Sequence, residues 1–393
     1  MRVLSLVADP GIPLNGRKGA SIHVLAFRKA LLQAGHEVQV LAAGAGERAR
    51  AEPDAFMAID TRAARGAARS QAAQDWILEH QERIADWARA DVVLERLSLY
   101  PGAGGALCRR LNALRVLEVN APLAEETARH RALDDFDRAL ALEQAAIAEA
   151  DGVLTVSREL TRRAAALRGD ASGVLHLPNG VDLDRPRPTP EATRMLRVAL
   201  GIPERRCVVN FLGSLKPWHG VADLVESMKQ AVGAGADLHL LIVGDGPERE
   251  RLEVQVRSAG LAGRATFTGA VPAQQVPHFL AASDIGAAPY PDLPGFYFSP
   301  LKIAEYAAAG LPVVMSALDD LTDLLPSGSG SITVPAGDVP ATAAALLRLA
   351  ADPDERRTLG RLALEHARRH LDWTTRVTQF ERLVSGVASL RPA

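Results

Sequence analysis

Small residues stand beside basic ones at the start of the second half of the chain. The segment Gly213–Gly220 reads Gly-Ser-Leu-Lys-Pro-Trp-His-Gly, and it follows the apolar run Cys207–Leu212. Backbone N–H groups at a helix start, the Lys216 ammonium and a donor on His219 can together stabilise a diphosphate. Trp218 has two equally good interpretations, as a packing residue or as a ring facing a ligand. This spacing predicts an anion site.

A second segment with the same potential lies further on, from Pro294 to Val314. It predicts a helix that is capped by Ser299 and begins with Pro300, with Lys302 and Glu305 about one turn apart. The two side chains can form a surface ion pair worth about 0.3 kcal/mol. Alternatively, the helix N-terminus meets a phosphate while Glu305 accepts hydrogen bonds from ribose hydroxyls.

Two glycine-containing loops in the first half have different interpretations. The loop Asp9–Gly19 follows the first predicted strand and opens a helix, which is where anionic ligands bind in open α/β sheets. The dinucleotide-like run Gly44–Ala49 follows the second strand, and Pro53 interrupts any helix that it opens. We therefore predict ligand contact for the first loop and none for the second.

These segments require a scaffold of parallel strands and crossover helices. Short apolar runs alternate with longer amphipathic ones, as in α/β proteins with doubly wound sheets. The predicted strands of a first sheet are Arg2–Ala8, Glu37–Ala42, Asp91–Glu95, Arg115–Val119, Gly152–Ser157 and Val174–Leu177. Those of a second sheet are Cys207–Leu212, Leu238–Val243, Ala265–Thr268, Ile285–Ala288 and Val313–Val314. Helices are expected between them, including one long helix over Ala124–Glu149.

Glycine and prolines in Asn179–Pro188 interrupt this pattern and predict a hinge. We expect a first Rossmann-like domain over 1–180, a second over 181–370, and a C-terminal helix over 371–393 that returns towards the first domain. Aspartates at 338, 352 and 372 are the expected helix starts in the C-terminal part.

Composition excludes several classes of protein. With 48% hydrophobic and 23% charged residues the chain is not disordered, and no apolar run reaches the length of a membrane-spanning helix. A net charge of -2 gives no bulk attraction to nucleic acid. Cys108 and Cys207 form no disulfide framework, and no signal peptide is evident, so we expect a cytoplasmic protein.

Five motifs in the same order resemble family 4 of the retaining glycosyltransferases, the group 1 glycosyltransferases. They are Phe211–Gly220, Pro294–Val314, Pro178–Asp182, Val243–Pro247 and Thr268–Pro272. The likeness covers nearly the whole chain. It implies the GT-B fold, two facing Rossmann-like domains with an inter-domain cleft, in which the domain over 1–180 binds the acceptor and the domain over 181–370 binds the nucleotide sugar. It also implies transfer of a sugar from a nucleoside diphosphate sugar to an acceptor hydroxyl, with retention and without a metal ion.

The resemblance also implies roles for individual residues. Glu305 would bind the donor ribose, Val271 the base through its backbone, and Gly19 the donor phosphate. The whole donor-binding set is then Gly19, Gly213, Ser214, His219, Val271, Tyr297, Phe298, Ser299, Pro300, Leu301 and Glu305.

Some positions depart from the family pattern. Tyr297 stands where a glutamate is usual, and Ser214 where an arginine is common. His219 stands where a lysine is common, and Asn120 where a histidine is common. Lys18 replaces the first glycine of the N-terminal loop. We interpret these changes as coordinated, with the cationic role moved to Lys216 and Lys302.

Lys216, Lys302 and Asn120 form the expected catalytic set, with the lysines stabilising the leaving diphosphate. The acidic run Asp134–Asp137 lies in a predicted helix, where a solvated face is the better interpretation than a metal site. Arg96 and His130 are candidates for the acceptor side, although His130 also fits a surface helix.

The expected partners are a nucleotide-sugar donor and a sugar, lipid-linked or small-molecule acceptor, with no other cofactor and at most peripheral contact with the inner face of the membrane. A catalytically silent member that binds nucleotide sugar or a partner is the alternative.

Overall fold

A computed structural model describes residues 1–16, 18–66, 68–130, 133–293 and 295–390, except for the side chain of His130. The chain divides into two compact units. Unit 1 comprises Met1–Pro178, Tyr297–Ser299 and Trp373–Ala393, and unit 2 comprises Asn179–Phe296 and Pro300–Asp372. The first unit is therefore discontinuous in sequence.

Unit 1 contains a seven-stranded parallel sheet with the order β3-β2-β1-β4-β5-β6-β7. Its strands are β1 Arg2–Val7, β2 Glu37–Ala42, β3 Phe56–Ala58, β4 Val92–Arg96, β5 Leu114–Val119, β6 Gly152–Thr155 and β7 Val174–His176. All six residues of β5 are buried, as expected for a parallel strand covered on both faces.

Unit 2 contains a six-stranded parallel sheet with the order β10-β9-β8-β11-β12-β13. Its strands are β8 Cys207–Leu212, β9 Leu238–Val243, β10 Ala265–Phe267, β11 Ile285–Ala288, β12 Val313–Ser316 and β13 Ser331–Val334. This is the Rossmann order, and the direction of winding reverses between β8 and β11.

Helices join the strands in both units. They are α1 Gly19–Gln33, α2 Gly46–Ala51, α3 Ala68–Glu79, α4 Gln81–Trp87, α5 Ala103–Leu111, α6 Leu123–His130, α7 Phe136–Glu149, α8 Arg158–Arg168, α9 Pro190–Ala199, α10 Val221–Gly233, α11 Arg249–Ser258, α12 Val276–Ala281, α13 Leu301–Ala309, α14 Asp319–Leu324, α15 Val339–Ala351, α16 Pro353–His370 and α17 Trp373–Ala388. No helix among the described residues is both long and apolar enough to cross a membrane.

Most predicted strands are confirmed within two residues, but the short strands β3 and β13 were missed. The predicted long helix over Ala124–Glu149 was wrong. Two helices stand there, because the Asp135 side chain accepts a hydrogen bond from the Arg138 N–H and caps the start of α7. That cap also gives the acidic run a structural role.

The helix starts in the C-terminal part follow the aspartates. Asp338 and Asp352 cap α15 and α16 through their side chains, and α17 begins directly after Asp372. The last helix belongs to unit 1, where Trp373, Val377 and Phe380 join the core beside Phe27 of α1.

Candidate functional site

In unit 2 the candidate site lies at the switch point of the sheet, where β8 and β11 end. The loops after β8 and β9 approach each other backbone to backbone, since the Gly213 N–H donates to Val243 O at 3.0 Å and the Leu215 N–H to Asp245 O at 3.0 Å. Gly213 and Gly244 have φ of 136° and 150°, and a β-carbon on Gly244 would overlap the Gly213 carbonyl. Ligands of open α/β sheets bind at such a point.

Helix α13 is fixed to the sheet through Tyr306. The Tyr306 hydroxyl donates to Asn210 O at 3.0 Å and accepts from the Leu212 N–H at 2.8 Å. Gly286 of β11 leaves room for the ring, because a β-carbon there would overlap it. Lys302, one turn before Tyr306, is thereby held at the end of β8.

The ammonium of Lys302 is buried against aromatic rings. Nζ lies 3.8 Å from the Phe211 ring centroid and 5.2 Å from that of Tyr290, and it has no hydrogen-bond partner in the described part of the chain. A β-carbon on Gly213 would lie 3.5 Å from Nζ, so the group borders the loop after β8. Burial lowers the pKa of Lys302 to about 7.

His219 is held by the same loop in a neutral form. Burial, reinforced by the charges of Lys302 and Lys216, lowers the pKa of His219 to about 3. Its Nδ1 lies 2.5 Å from the Ser214 carbonyl oxygen, which only accepts, so Nδ1 must carry the single hydrogen. Nε2 then presents a lone pair, and the expectation that His219 donates to a diphosphate does not fit this arrangement.

Lys216 lies in the same group. Its Nζ is 5.6 Å from the centroid of the Trp218 ring, and its charge acts on His219 together with that of Lys302. The structure thus brings both predicted leaving-group cations within electrostatic reach of one imidazole. Val271 packs in one apolar cluster with Leu212, at the same edge of the sheet.

The Glu305 carboxylate is paired in a way that the sequence did not predict. The Arg185 Nη1 donates to both carboxylate oxygens, at 2.9 and 3.0 Å. Burial raises the pKa of Glu305, and the Arg185 charge opposes that rise. The alternative of a surface ion pair between Lys302 and Glu305 is excluded, because Lys302 is buried and Glu305 is paired with Arg185 instead.

The start of α13 differs from the prediction. We expected Ser299 to cap the helix, but the N-cap residue is Pro300, whose own side chain forms no cap hydrogen bond. A helix N-terminus carries backbone N–H groups that have no partner within the helix, and in α13 these begin at Leu301. Such an end attracts anions.

Besides Gly19, three residues of the predicted donor-binding set lie in unit 1. Tyr297, Phe298 and Ser299 belong to that unit. The Tyr297 hydroxyl donates to Glu126 of α6 at 2.7 Å, and its ring packs beside the buried residues of β5 and β6. The structure therefore groups these three residues with the predicted acceptor side.

In unit 1 the candidate residues gather around Glu118 at the carboxyl end of the sheet. His23 Nε2 lies 2.5 Å and Arg96 Nη1 3.5 Å from its carboxylate. Burial alone would raise the pKa of Glu118, but the charges of His23 and Arg96 and hydrogen bonds from His23 and Asn120 outweigh it and lower the pKa to about 2. Arg96 and Asn120 are thus linked through an ionised carboxylate, whereas the side chain of His130 lies outside the described residues.

The N-terminal glycine loop is closed by Lys18. Its Nζ donates to Gly11 O at 3.0 Å, and Gly19 is the first residue of α1. Gly44 of the rejected dinucleotide-like run packs on the backbone of Ile12, where a β-carbon would overlap the carbonyl oxygen. That glycine is explained by packing.

Comparison with known proteins assigns the family. The model described as Glycosyltransferase Family 4 matches residues 17–185, and the one described as Glycosyl transferases group 1 matches residues 206–352. The chain belongs to the group 1 glycosyltransferases, family 4.

Two relatives are about one third identical to the chain over the aligned residues. It is 32% identical to the GDP-mannose-dependent alpha-(1-6)-phosphatidylinositol monomannoside mannosyltransferase of Mycolicibacterium smegmatis, over 62% of this chain and 65% of the relative. It is 35% identical to the 2-deoxystreptamine N-acetyl-D-glucosaminyltransferase of Streptomyces fradiae, over 57% of this chain and 53% of the relative. The matches thus span between half and two thirds of these relatives.

The predicted GT-B fold is also confirmed. The sucrose-phosphate synthase of Thermosynechococcus elongatus superposes with a TM-score of 0.75 over 100% of both chains, at 20% sequence identity. The parallel sheets of unit 1 and unit 2 are the two Rossmann-like sheets of this fold.

Sequence reasoning missed Arg185, Glu118 and His23 in this family member. A weak signal existed for Glu118, which with Arg115 is one of two charged residues in the strand Leu114–Val119, whose other four residues are apolar. No signal pointed to Arg185, because its partner Glu305 is 120 residues away.

Proposed function

We propose that this chain transfers a sugar from a nucleoside diphosphate sugar to an acceptor hydroxyl, with retention of configuration and without a metal ion. Membership of the group 1 glycosyltransferases supports the activity. The observation that carries the assignment of the donor site is Lys302, a buried ammonium without a hydrogen-bond partner in the described residues, at the switch point of the unit 2 sheet. An anion is the ligand that such a group lacks.

The proposed donor site surrounds the diphosphate with fixed positive charge. Lys302 and Lys216 supply two ammonium groups, and the start of α13 supplies backbone donors. In a site shielded from water, such preorganised groups stabilise the charge that develops on the leaving diphosphate. Neutral His219 offers an acceptor at Nε2, which suits a sugar hydroxyl better than a phosphate oxygen.

Retention is proposed to follow from attack on the face that the diphosphate leaves. The bond between the anomeric carbon and the β-phosphate oxygen breaks as the acceptor oxygen forms its bond on the same side. The departing phosphate oxygen takes the acceptor proton, so the step needs no separate base. Lys216 and Lys302 act by stabilising the phosphate as it departs.

On the acceptor side we propose Arg96 and Asn120, which the Glu118 carboxylate links. The relatives named above act on a phosphatidylinositol mannoside and on 2-deoxystreptamine, so lipid-linked and small-molecule acceptors both fit the family. We propose a cytoplasmic enzyme that works at the inner face of the membrane when its acceptor is lipid-linked.

Replacing Lys216 tests the proposed chemistry. In Lys216→Ala we expect kcat to fall by about 100-fold or more while donor affinity changes far less, because the charge it stabilises is largest in the transition state. Release of free nucleoside diphosphate from a donor panel, with and without acceptors, gives the rate. Lys229→Ala is the matched control, since Lys229 pairs with Glu226 on the exposed face of α10.

Two results would count against this function. Equal turnover in Lys216→Ala would remove the lysine from the reaction. Binding of nucleotide sugar by the wild-type chain without any turnover across the panel would favour a silent binding protein.

A further inference from the structure

Arg185 and Glu305 form an almost buried ion pair in unit 2. We infer that Arg185 is a positioning residue of the donor site, which keeps the Glu305 carboxylate ionised and turned so that its free lone pairs accept from the ribose hydroxyls. This inference rests on the proposed function, since it deepens the role of the nucleotide-binding carboxylate. Arg185 itself need not touch the nucleotide.

The geometry of the pair leaves room for a second set of donors. A single nitrogen, Nη1, lies between the two carboxylate oxygens at 2.9 and 3.0 Å. Each carboxylate oxygen accepts about two hydrogen bonds, so about one site on each remains for another donor. Two adjacent hydroxyls, as on a ribose, match two such sites side by side.

The charge of Arg185 is as important as its position. The Glu305 side chain is only 12% exposed, and burial raises the pKa of its carboxyl group, while Arg185 acts in the opposite direction. A protonated carboxyl would offer one donor and a weaker acceptor in place of two strong acceptors. Arg185 therefore preserves the form of Glu305 that prefers hydroxyl ligands.

The motif Asn179–Asp182 gains a role from this pair. Val181 is buried, and its N–H donates to Leu371 O at 2.7 Å, which anchors the loop. Asp182 accepts from the Asp184 N–H at 3.1 Å and its carboxylate lies 4.0 Å from the Arg185 Nε. The loop thereby brings the Arg185 guanidinium to Glu305 of α13.

The test compares ribonucleotides with their deoxy forms. Isothermal titration measures the binding of UDP and GDP, and of the 2′-deoxy and 3′-deoxy form of each, to the wild type, Arg185→Ala, Arg185→Lys and the loop control Arg187→Ala, whose side chain is exposed. In the wild type we expect loss of one hydroxyl to weaken binding by about tenfold or more, as for a hydrogen bond to a charged acceptor. In Arg185→Ala we expect binding of the ribonucleotide to weaken by about tenfold and binding of its deoxy forms by much less. The difference in affinity between the ribonucleotide and its deoxy forms should then nearly disappear.

Two further variants separate positioning from folding. Arg185→Ala leaves a buried unpaired carboxylate, so we add Glu305→Gln and the double variant Arg185→Ala/Glu305→Gln, which carry no such charge. If Arg185 acts through Glu305, the double variant binds the ribonucleotide no more weakly than Glu305→Gln alone. Arg185→Lys should recover part of the affinity, and Arg187→Ala should match the wild type.

The possible outcomes are distinct. The positioning role is overturned if Arg185→Ala weakens the binding of ribonucleotides and deoxynucleotides by the same factor. It is also overturned if this variant binds the ribonucleotide more tightly than the wild type does. A double variant weaker than Glu305→Gln does so as well, because Arg185 would then act independently of the carboxylate. Failure of the wild type to bind any nucleoside diphosphate overturns the proposed function and this inference with it.

Discussion

At the scale of single residues, Lys302 shows what the sequence can and cannot indicate. Its position after Ser-Pro-Leu at a helix start was enough to predict a phosphate contact, because helix starts and lysines both favour anions. Its stacking on Phe211 and Tyr290 was not predictable, since those rings lie far from it in the chain. The same holds for Arg185, which only the fold brings to Glu305.

The buried ammonium of Lys302 should cost stability. Its pKa is about 7 in the folded chain and about 10.4 in an unfolded one, so between these values the unfolded chain binds more protons and stability rises with pH. We expect Lys302→Met to raise the free energy of unfolding at pH 7 by roughly 2 kcal/mol, with the gain shrinking towards pH 10, while turnover is lost. Denaturant unfolding at pH 6, 7, 8 and 9 measures it, and a variant less stable than wild type at pH 7 would contradict the burial argument.

Donor binding should respond to the same proton. Above pH about 7 the Lys302 side chain of the free protein loses its proton, whereas in the complex the bound diphosphate stabilises the protonated ammonium. The affinity for the donor should therefore fall by up to about tenfold per pH unit. Titration with an intact nucleotide sugar is the suitable measurement, because its diphosphate is esterified at both ends and keeps a constant charge above pH 7. Lys302→Arg should flatten the dependence, since a guanidinium stays charged. An unchanged slope in that variant would assign the titration to another group.

At the scale of elements, strands were easier to predict than the breaks between helices. Fully buried parallel strands such as β8 and β9 are continuous apolar runs, and both were predicted with their observed ends. The division of α6 from α7 was missed because the apolar and alanine-rich pattern continues around the Asp135 cap. The short strands β3 and β13 have too few residues to show a period.

The contact between β11 and α13 offers a test at this scale. A β-carbon on Gly286 would overlap the Tyr306 ring, so Gly286→Ala should displace α13 and with it Lys302 and Glu305. We expect a loss of about 2–4 kcal/mol of stability, as for an overpacked core, and a larger loss of donor affinity than the stability alone would cause. Differential scanning calorimetry and nucleotide titration measure the two effects.

Gly233→Ala is the control for that substitution. Gly233 is the last residue of α10, its φ is not positive and no atom lies within 4 Å of a β-carbon built there. It should be neutral or slightly stabilising, since alanine is the better helix former. If Gly286→Ala behaved like this control, α13 would not be held by the close approach of the ring.

At the scale of the whole molecule, the division of the chain does not follow its order in sequence. The last helix, α17, belongs to unit 1, although it follows directly after Asp372, the last residue of unit 2. The sequence predicted a returning helix but could not indicate which residues it packs against. Those are contacts between residues more than three hundred positions apart, such as Phe27 with Phe380, whose ring centroids are 5.8 Å apart.

Removing that helix should unfold one unit and spare the other. Deletion of residues 373–393 takes Trp373, Val377, Phe380, Val384 and Val387 from the unit 1 core. At about 1.5–3 kcal/mol for each large buried side chain, the loss matches or exceeds the usual net stability of a domain, about 5–15 kcal/mol. Unit 2 contributes none of these residues, so it should still fold and bind nucleotide.

Limited proteolysis followed by mass spectrometry distinguishes the two units. We expect the truncated chain to be cut throughout residues 1–178, whereas unit 2 stays resistant and becomes more so when a nucleoside diphosphate binds it. Deletion of residues 389–393 alone, beyond the end of α17, should leave both units resistant. Protection of the N-terminal residues in the longer deletion would mean that the sheet of unit 1 is stable without the helix, and that the C-terminal segment has another purpose than closing its core.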